Sequence, residues 1–214
     1  MAVVSYGAST ELDAINSILM SVGESPVNST TVQSPEVVIA QKTLQQVCRE
    51  VQAEGWKFNT EQEYPITLDT NNQCIIPNNV LQIDTNHYKH LNDFDVVRKK
   101  DSGIWKLYDQ TEHRFNFENI NEGKLYVDII WMVEFEEMPQ VFRDYCTIRA
   151  SRIASNRMVN NPQSAEMIGL DEQLARALAV EYDTKQADYN IFNDQQNSTN
   201  PATVYRPYQV LQRR

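Results

Sequence analysis

Apolar residues keep a helical spacing at both ends of this 214-residue chain and an alternating one through its middle. A chain that switches period twice folds as a helical body with a β-rich piece set into it. Leu12, Ile15, Leu19 and Val22 make one stripe at helical spacing. Thr10 stands where a cap belongs, with Asp13 near the positive end of the helix dipole. Gly23 then stops the helix in the left-handed conformation, and Pro26 prevents its resumption. A second helix starts at Ser34-Pro35-Glu36, with Ser as cap, Pro in the first turn and an acid beside it. Its face of Val37, Val38, Leu44, Val47, Cys48 and Val51 runs down to Gly55. The chain has only six glycines, so two of them closing successive helices is punctuation.

From Trp56 the spacing changes. Tyr64, Ile66 and Leu68 alternate with Pro65, Thr67 and Asp69, the pattern of a half-buried strand. Further short apolar runs fall at 74–76, 80–83, 96–97, 104–108, 115–117 and 126–133. Turn residues separate them at Asn71-Asn72, Pro77-Asn78-Asn79, Asp101-Ser102-Gly103 and Asn121-Glu122-Gly123, the last short enough for a hairpin. About seven short strands between helices predict a sandwich or small barrel.

Helical spacing returns at Pro139, where a third helix runs to about Asn156. Val141, Phe142, Tyr145, Cys146, Ile148 and Ile153 share one broad arc of it, and Arg149 and Arg152 fall inside that arc. An unpartnered guanidinium is costly to bury. Two readings follow: an internal ion pair with the aliphatic stems over the core, or a contact between subunits. Pro162 opens a last helix with Met167, Leu170, Leu174, Leu178, Tyr182, Tyr189 and Phe192 in a nearly continuous stripe. Unbroken to Phe192, it would be roughly 45 Å long. From Asn193 the composition turns to Asn, Gln, Ser and Thr, which cannot bury enough apolar surface to fold alone. The end regains Tyr205, Arg206, Tyr208, Val210, Leu211, Arg213 and Arg214. Polar first and sticky last, it reads as a docking arm or as a frayed terminus.

The predicted fold is therefore α+β: an antiparallel bundle of about four helices, the last one long, with an inserted β-rich sandwich or barrel-like domain and an extended C-terminal arm. The expected boundaries are 1–56 and 137–192 for the helical domain, 57–136 for the insert and 193–214 for the arm.

Several motifs occur in a set order: ELDAINSILMSVGESPV from Glu11 to Val27, Glu54-Gly55-Trp56, Glu137-Met138-Pro139, Phe142-Arg143-Asp144-Tyr145, Ala150-Ser151-Arg152 and Asn156-Arg157. Together they resemble the tail tubular protein A family, the head-to-tail adaptors of short-tailed bacteriophages with a T7-like tail. The resemblance implies a structural virion protein, with no enzymatic activity and no cofactor. It implies a ring of twelve copies between the portal protein and the tail nozzle protein (tail tubular protein B), with genomic DNA passing through the channel without sequence-specific binding. It also implies that the arm docks into the portal, that Arg149 and Arg152 lie at ring contacts, and that the chain resides in the virion neck after synthesis in the host cytoplasm.

The residues taken by themselves point the same way. A net charge of −10 argues against wrapping nucleic acid by bulk attraction, although an acidic lumen lets DNA slide. Arg98-Lys99-Lys100 reads as a solvated hairpin end or, less simply, a DNA-facing patch. Cys48, Cys74 and Cys146 are odd in number and far apart, which predicts idle thiols and no metal site. No run approaches the ~18 apolar residues of a membrane span. His87 and His90 lack a partner to complete a ligand set, and His113 stands alone beside Glu112 and Arg114. There is no GxSxG and no glycine-rich phosphate loop. The alternatives are a virion-associated glycan hydrolase using Glu134 and Glu136, flanked by Glu137, and a carbohydrate-binding tail protein stacking sugars on Trp105, Tyr108 and Tyr126. The simpler readings are a solvated acidic edge for the carboxylates and core positions for Trp105 and Tyr126.

Overall fold

The structure is a computed structural model, and it describes residues 9–31, 34–85, 95–117, 124–159 and 162–187. The first helix, α1 (Glu11–Ser21), begins as its sequence predicts and with one refinement. Thr10 and Asp13 form a reciprocal capping box: the Asp13 amide donates to the Thr10 hydroxyl at 3.2 Å, and the Thr10 amide donates to the Asp13 carboxylate at 2.9 Å. At its end the Glu24 amide reaches back to the Leu19 carbonyl at 3.0 Å across Gly23, whose φ is +84°. Helix α2 (Pro35–Gln52) is capped by Ser34, whose hydroxyl accepts from the Val37 amide at 3.3 Å.

Helices α3 (Gln140–Met158) and α4 (Pro162–Gln186) complete the helical part among the described residues. Helix α3 is its centre, because α1, α2 and α4 all pack on it. This explains why its apolar arc is so broad. Phe142, Tyr145 and Cys146 are buried, and so are the small residues Ala150, Ser151, Ala154 and Ser155, which let neighbouring backbones approach.

Among the described residues the β-rich part holds five strands: β1 (Thr60–Thr67), β2 (Val80–Thr85), β3 (Val96–Asp101), β4 (Ile104–Asp109) and β5 (Lys124–Trp131). They form an antiparallel sheet in the order β1-β5-β2 and a separate β3-β4 hairpin. Central strand β5 turns Leu125, Val127 and Ile129 inward, and these join Val80, Val96, Leu107 and Phe117 in a second core. Pro65 lies on edge strand β1, where a missing donor costs least. The hairpin turns through Ser102 and Gly103, with φ of +51° and +86°, the geometry of a two-residue loop that matches strand twist. The sequence predicted about seven strands. The runs at 74–76 and 115–117 instead form single bridges, Ile75 with Lys106 and Gln73 with Asn116. They are too short and too sharply turned to extend a ladder.

The chain crosses between the two parts twice, after α2 and after β5, and buried amides lock both crossings together. Asn59 donates to the carbonyls of Gln52 (2.9 Å) and Trp131 (2.8 Å) and accepts from the Trp56 amide (2.9 Å). Gln52 accepts from the Val133 amide at 2.8 Å and donates to the Val133 carbonyl at 3.1 Å. Gly55 makes the bend at φ +76°, where a Cβ would stand 2.8 Å from the Ile130 side chain. Trp56 packs its ring on Phe142 and donates to the Val51 carbonyl at 2.6 Å.

Asn59→Ala would leave the buried Trp56 amide without its acceptor, at about 1–3 kcal/mol, and take one hydrogen bond each from the Gln52 and Trp131 carbonyls. It should lower unfolding stability by about 3 kcal/mol, seen as a lower denaturant midpoint with unchanged slope. A loss below ~1 kcal/mol would show that the crossings hold without it.

Candidate docking surface

The long last helix is held in an unusual way. Its small residues Ala175 and Ala179 face the core at 7% and 0% exposure. Its large ones face water: Met167 is 72% exposed, Leu170 64%, Leu174 62% and Leu178 49%. These four recur at steps of three and four residues and so share one side of the helix. The sequence spacing correctly marked an apolar face. Of that face only its C-terminal member Tyr182, among the described residues, meets α3, with its ring 6.1 Å from Phe142; Met167 to Leu178 are turned outward. Tyr189 and Phe192, the last two members of the expected stripe, lie outside the described residues.

Between this stripe and α3 runs an open groove of about 560 Å³. Val141 and Ile148 line it from α3, and Leu174, Leu178 and Tyr182 from α4. Its charged rim is Asp144, Asp171, Glu181 and Lys185. Contiguous exposed apolar surface of this kind marks an interaction site in a soluble monomer.

Charged groups on the flanks hold α4 in place. Arg149 donates to the Tyr145 hydroxyl and the Glu50 carboxylate, both at 3.1 Å. Arg152 pairs with Glu172 of α4 through two guanidinium nitrogens. Arg176 of α4 returns to the Tyr145 hydroxyl at 3.0 Å and grips Glu54 with both terminal nitrogens, at 3.1 and 2.8 Å. Hydrogen bonding to Glu54, then to Tyr145, holds the Arg176 guanidinium above its ordinary pKa, so it is charged at any working pH. The two arginines singled out in the sequence thus have partners within the chain. They also stay partly open, with side-chain exposures of 24% for Arg149 and 32% for Arg152. Sequence reasoning missed two further anchors. Buried Arg143 donates to the Ser9 carbonyl at 2.9 Å, and Asp183 accepts from the Lys57 amide at 2.7 Å.

The chemistry considered from sequence does not assemble here. Glu134 precedes a single 3-10 turn, Phe135–Glu137, and Glu134, Glu136 and Glu137 are all exposed. Trp105 lies under Arg98 at 4.2 Å and Lys100 at 4.8 Å, and Tyr108 lies under Lys99 at 4.2 Å. The basic run therefore packs over these rings. Tyr126 is half-buried, and His113 is exposed. All three cysteines are buried. Burial, with Asp69 nearby, pushes the Cys74 thiol up to about 12, and a hydrogen bond with Cys48 together with burial holds Cys146 well above the usual thiol range. Neither is a nucleophile in this state. Among the described residues no group of His, Cys, Asp or Glu could hold a metal, and no helix is long and apolar enough to cross a membrane. His87, His90 and the arm residues Tyr205, Arg206, Tyr208, Val210, Leu211, Arg213 and Arg214 lie outside the described residues.

Residues 12–189 match a family model described as tail tubular protein. The chain belongs to that family. It is accordingly a structural component of a bacteriophage tail, carried in the virion. A search of curated proteins finds no match. The matched stretch takes in both cores and the whole of α4, so the exposed stripe belongs to the tail tubular part of the chain.

Tyr145 links α3 to α4 through a hydroxyl shared by two arginines, and hydrogen bonds to charged groups contribute about 1.5–3 kcal/mol. Part of that is screened at these half-exposed guanidinium groups. Tyr145→Phe should therefore cost about 1–2 kcal/mol in chemical denaturation. An unchanged midpoint would reassign the hold on α4 to its other contacts, Ala175 and Ala179, Arg152 with Glu172, and Tyr182 on Phe142.

Proposed function

We propose that this tail protein is a head-to-tail adaptor, a ring joining the portal to the tail nozzle and forming part of the DNA ejection channel. The observation that carries the reading is the solvent-facing side of α4, where the helix turns its largest apolar residues away from its own core. A ring subunit needs two different surfaces that meet head to tail and close by rotation. In this reading the α3–α4 layer supplies one of them, with Arg149 and Arg152 at its margin. The finer parts come from the family resemblance: twelve copies, the helical domain of 1–56 and 137–192 in the ring, the insert of 57–136 towards tail tubular protein B, and the arm of 193–214 in the portal. Genomic DNA passes through the lumen without sequence-specific contacts, and the net charge of −10 keeps phosphates from adhering. Before assembly the chain waits in the host cytoplasm.

Met167→Glu with Leu170→Glu should abolish ring formation, read by electron microscopy and sedimentation. Both residues are exposed, so monomer stability should change by no more than ~0.5 kcal/mol. Rings that still form at wild-type concentration would remove α4 from the ring contact. Arg152→Ala should weaken the ring more than it lowers the monomer melting temperature, and equal losses would leave Arg152 as an internal anchor only. Deleting the chain from Pro201 onward should leave a folded protein that no longer co-sediments with portal. Undiminished co-sedimentation would end the arm's assigned role.

A further inference from the structure

We infer that the groove between α3 and α4 seats the chain's own segment Tyr205–Leu211 while the protein is free, and that assembly displaces it. The inference rests on the reading of the α4 face as an assembly surface, and it names what covers the groove on that face beforehand.

Four observations carry it. The groove has an apolar floor, Val141, Ile148, Leu174 and Leu178, with Asp144, Asp171 and Glu181 against a single Lys185 on its rim. The segment from Val204 to Arg214 has the matching chemistry: Tyr205, Tyr208, Val210 and Leu211 for the floor, Arg206, Arg213 and Arg214 for the rim, and no acidic side chain. The lengths agree. From Asp171 to Lys185 the helix spans roughly 21 Å, and seven residues of extended chain span roughly 23 Å. Pro207 restricts itself and disfavours helix at Arg206, so the segment is biased towards an extended form before it docks.

The connection also fits. Described helix α4 ends at Gln186, beside Tyr182 and Lys185 at one end of the groove. Residues 188–204 can span up to about 56 Å, ample for the chain to turn back along its own helix. Such a tether sets an effective concentration in the millimolar range, so even a weak site fills from the same chain before a second copy reaches it. This accounts for the order of the composition after α4, polar Asn, Gln, Ser and Thr first and adhesive residues last. Displacement then does two things at once, baring the groove and freeing the segment for another partner.

The test uses the full chain. Leu178→p-benzoylphenylalanine is irradiated in an equal mixture of isotope-labelled and unlabelled copies, and the cross-linked peptides are read by mass spectrometry. The expected product joins position 178 to residues 204–214 of the same copy. Products that join labelled to unlabelled copies, or that lack residues 204–214, overturn the inference in favour of a second copy or an empty groove. A full-length variant carrying Tyr208→Asp and Leu211→Asp gives an independent measure that leaves the folded body untouched. It should bind a fluorescent peptide of residues 201–214 at least tenfold more tightly than the unaltered chain does, because its own segment no longer competes. Equal binding by both chains overturns the inference. Ring formation by the Met167 and Leu170 variant is scored separately, so loss of the adaptor reading is distinguishable from loss of this one.

Discussion

Two buried amides, Gln52 and Asn59, hold together the two places where the chain passes between its helical and β-rich parts, and the rest of the structure depends on them. Each part has its own apolar core, so apolar packing alone would let the two turn relative to one another. Hydrogen bonds are directional, and these two side chains satisfy backbone groups from α2, from the outgoing crossing and from the returning one. The hold is strong because the groups are buried: an unmade bond there costs more than a made one contributes in water. The Glu54-Gly55-Trp56 motif belongs to the same construction. Glu54 takes Arg176 of α4, Gly55 makes the left-handed bend beside the Ile130 side chain, and Trp56 closes over Phe142.

What the sequence made legible was whatever is decided locally. Thr10, Gly23, Ser34 and Pro35 act on their own turns, and the helices start and stop where those residues stand. The ordered motifs carried the family, because helix ends and their punctuation are what they encode. What stayed hidden was decided by distant residues. Nothing in the spacing separates Gln52 from the solvated Gln45 or Gln46 about two turns earlier, because its burial is set by Val133, 81 positions away. Arg149 and Arg152 stood out as misplaced charges, yet their partners Glu50 and Glu172 come from two other helices. The α4 stripe was visible as apolar, but periodicity reports that a face is greasy and not what lies against it. In the β-rich part the runs at 74–76 and 115–117 have strand composition, and only the turns around them limit each to single bridges.

The hold on α4 decides what the helix is free to do. A contact made by Ala175 and Ala179 buries little area, and half-exposed ion pairs add at most about 1 kcal/mol each. The helix is therefore kept on α3 by several small terms: the alanine contact, the shared Tyr145 hydroxyl, Arg152 with Glu172, and Asp183 at the Lys57 amide. Tyr182 adds a ring contact, edge-on to Phe142 of α3 at 6.1 Å, and none of these terms uses Met167, Leu170, Leu174 or Leu178. Had Leu174 and Leu178 been turned to the core in place of the alanines, α4 would be held more firmly and its outer face would be polar. The observed choice gives up intrachain burial and keeps an apolar surface in reserve, which is the economy of a protein whose stability is completed by its neighbours. The arginines contribute by neutralising glutamates at the seams between helices, so an acidic chain can seat α4 against α2 and α3 without using Leu174 or Leu178 to do it.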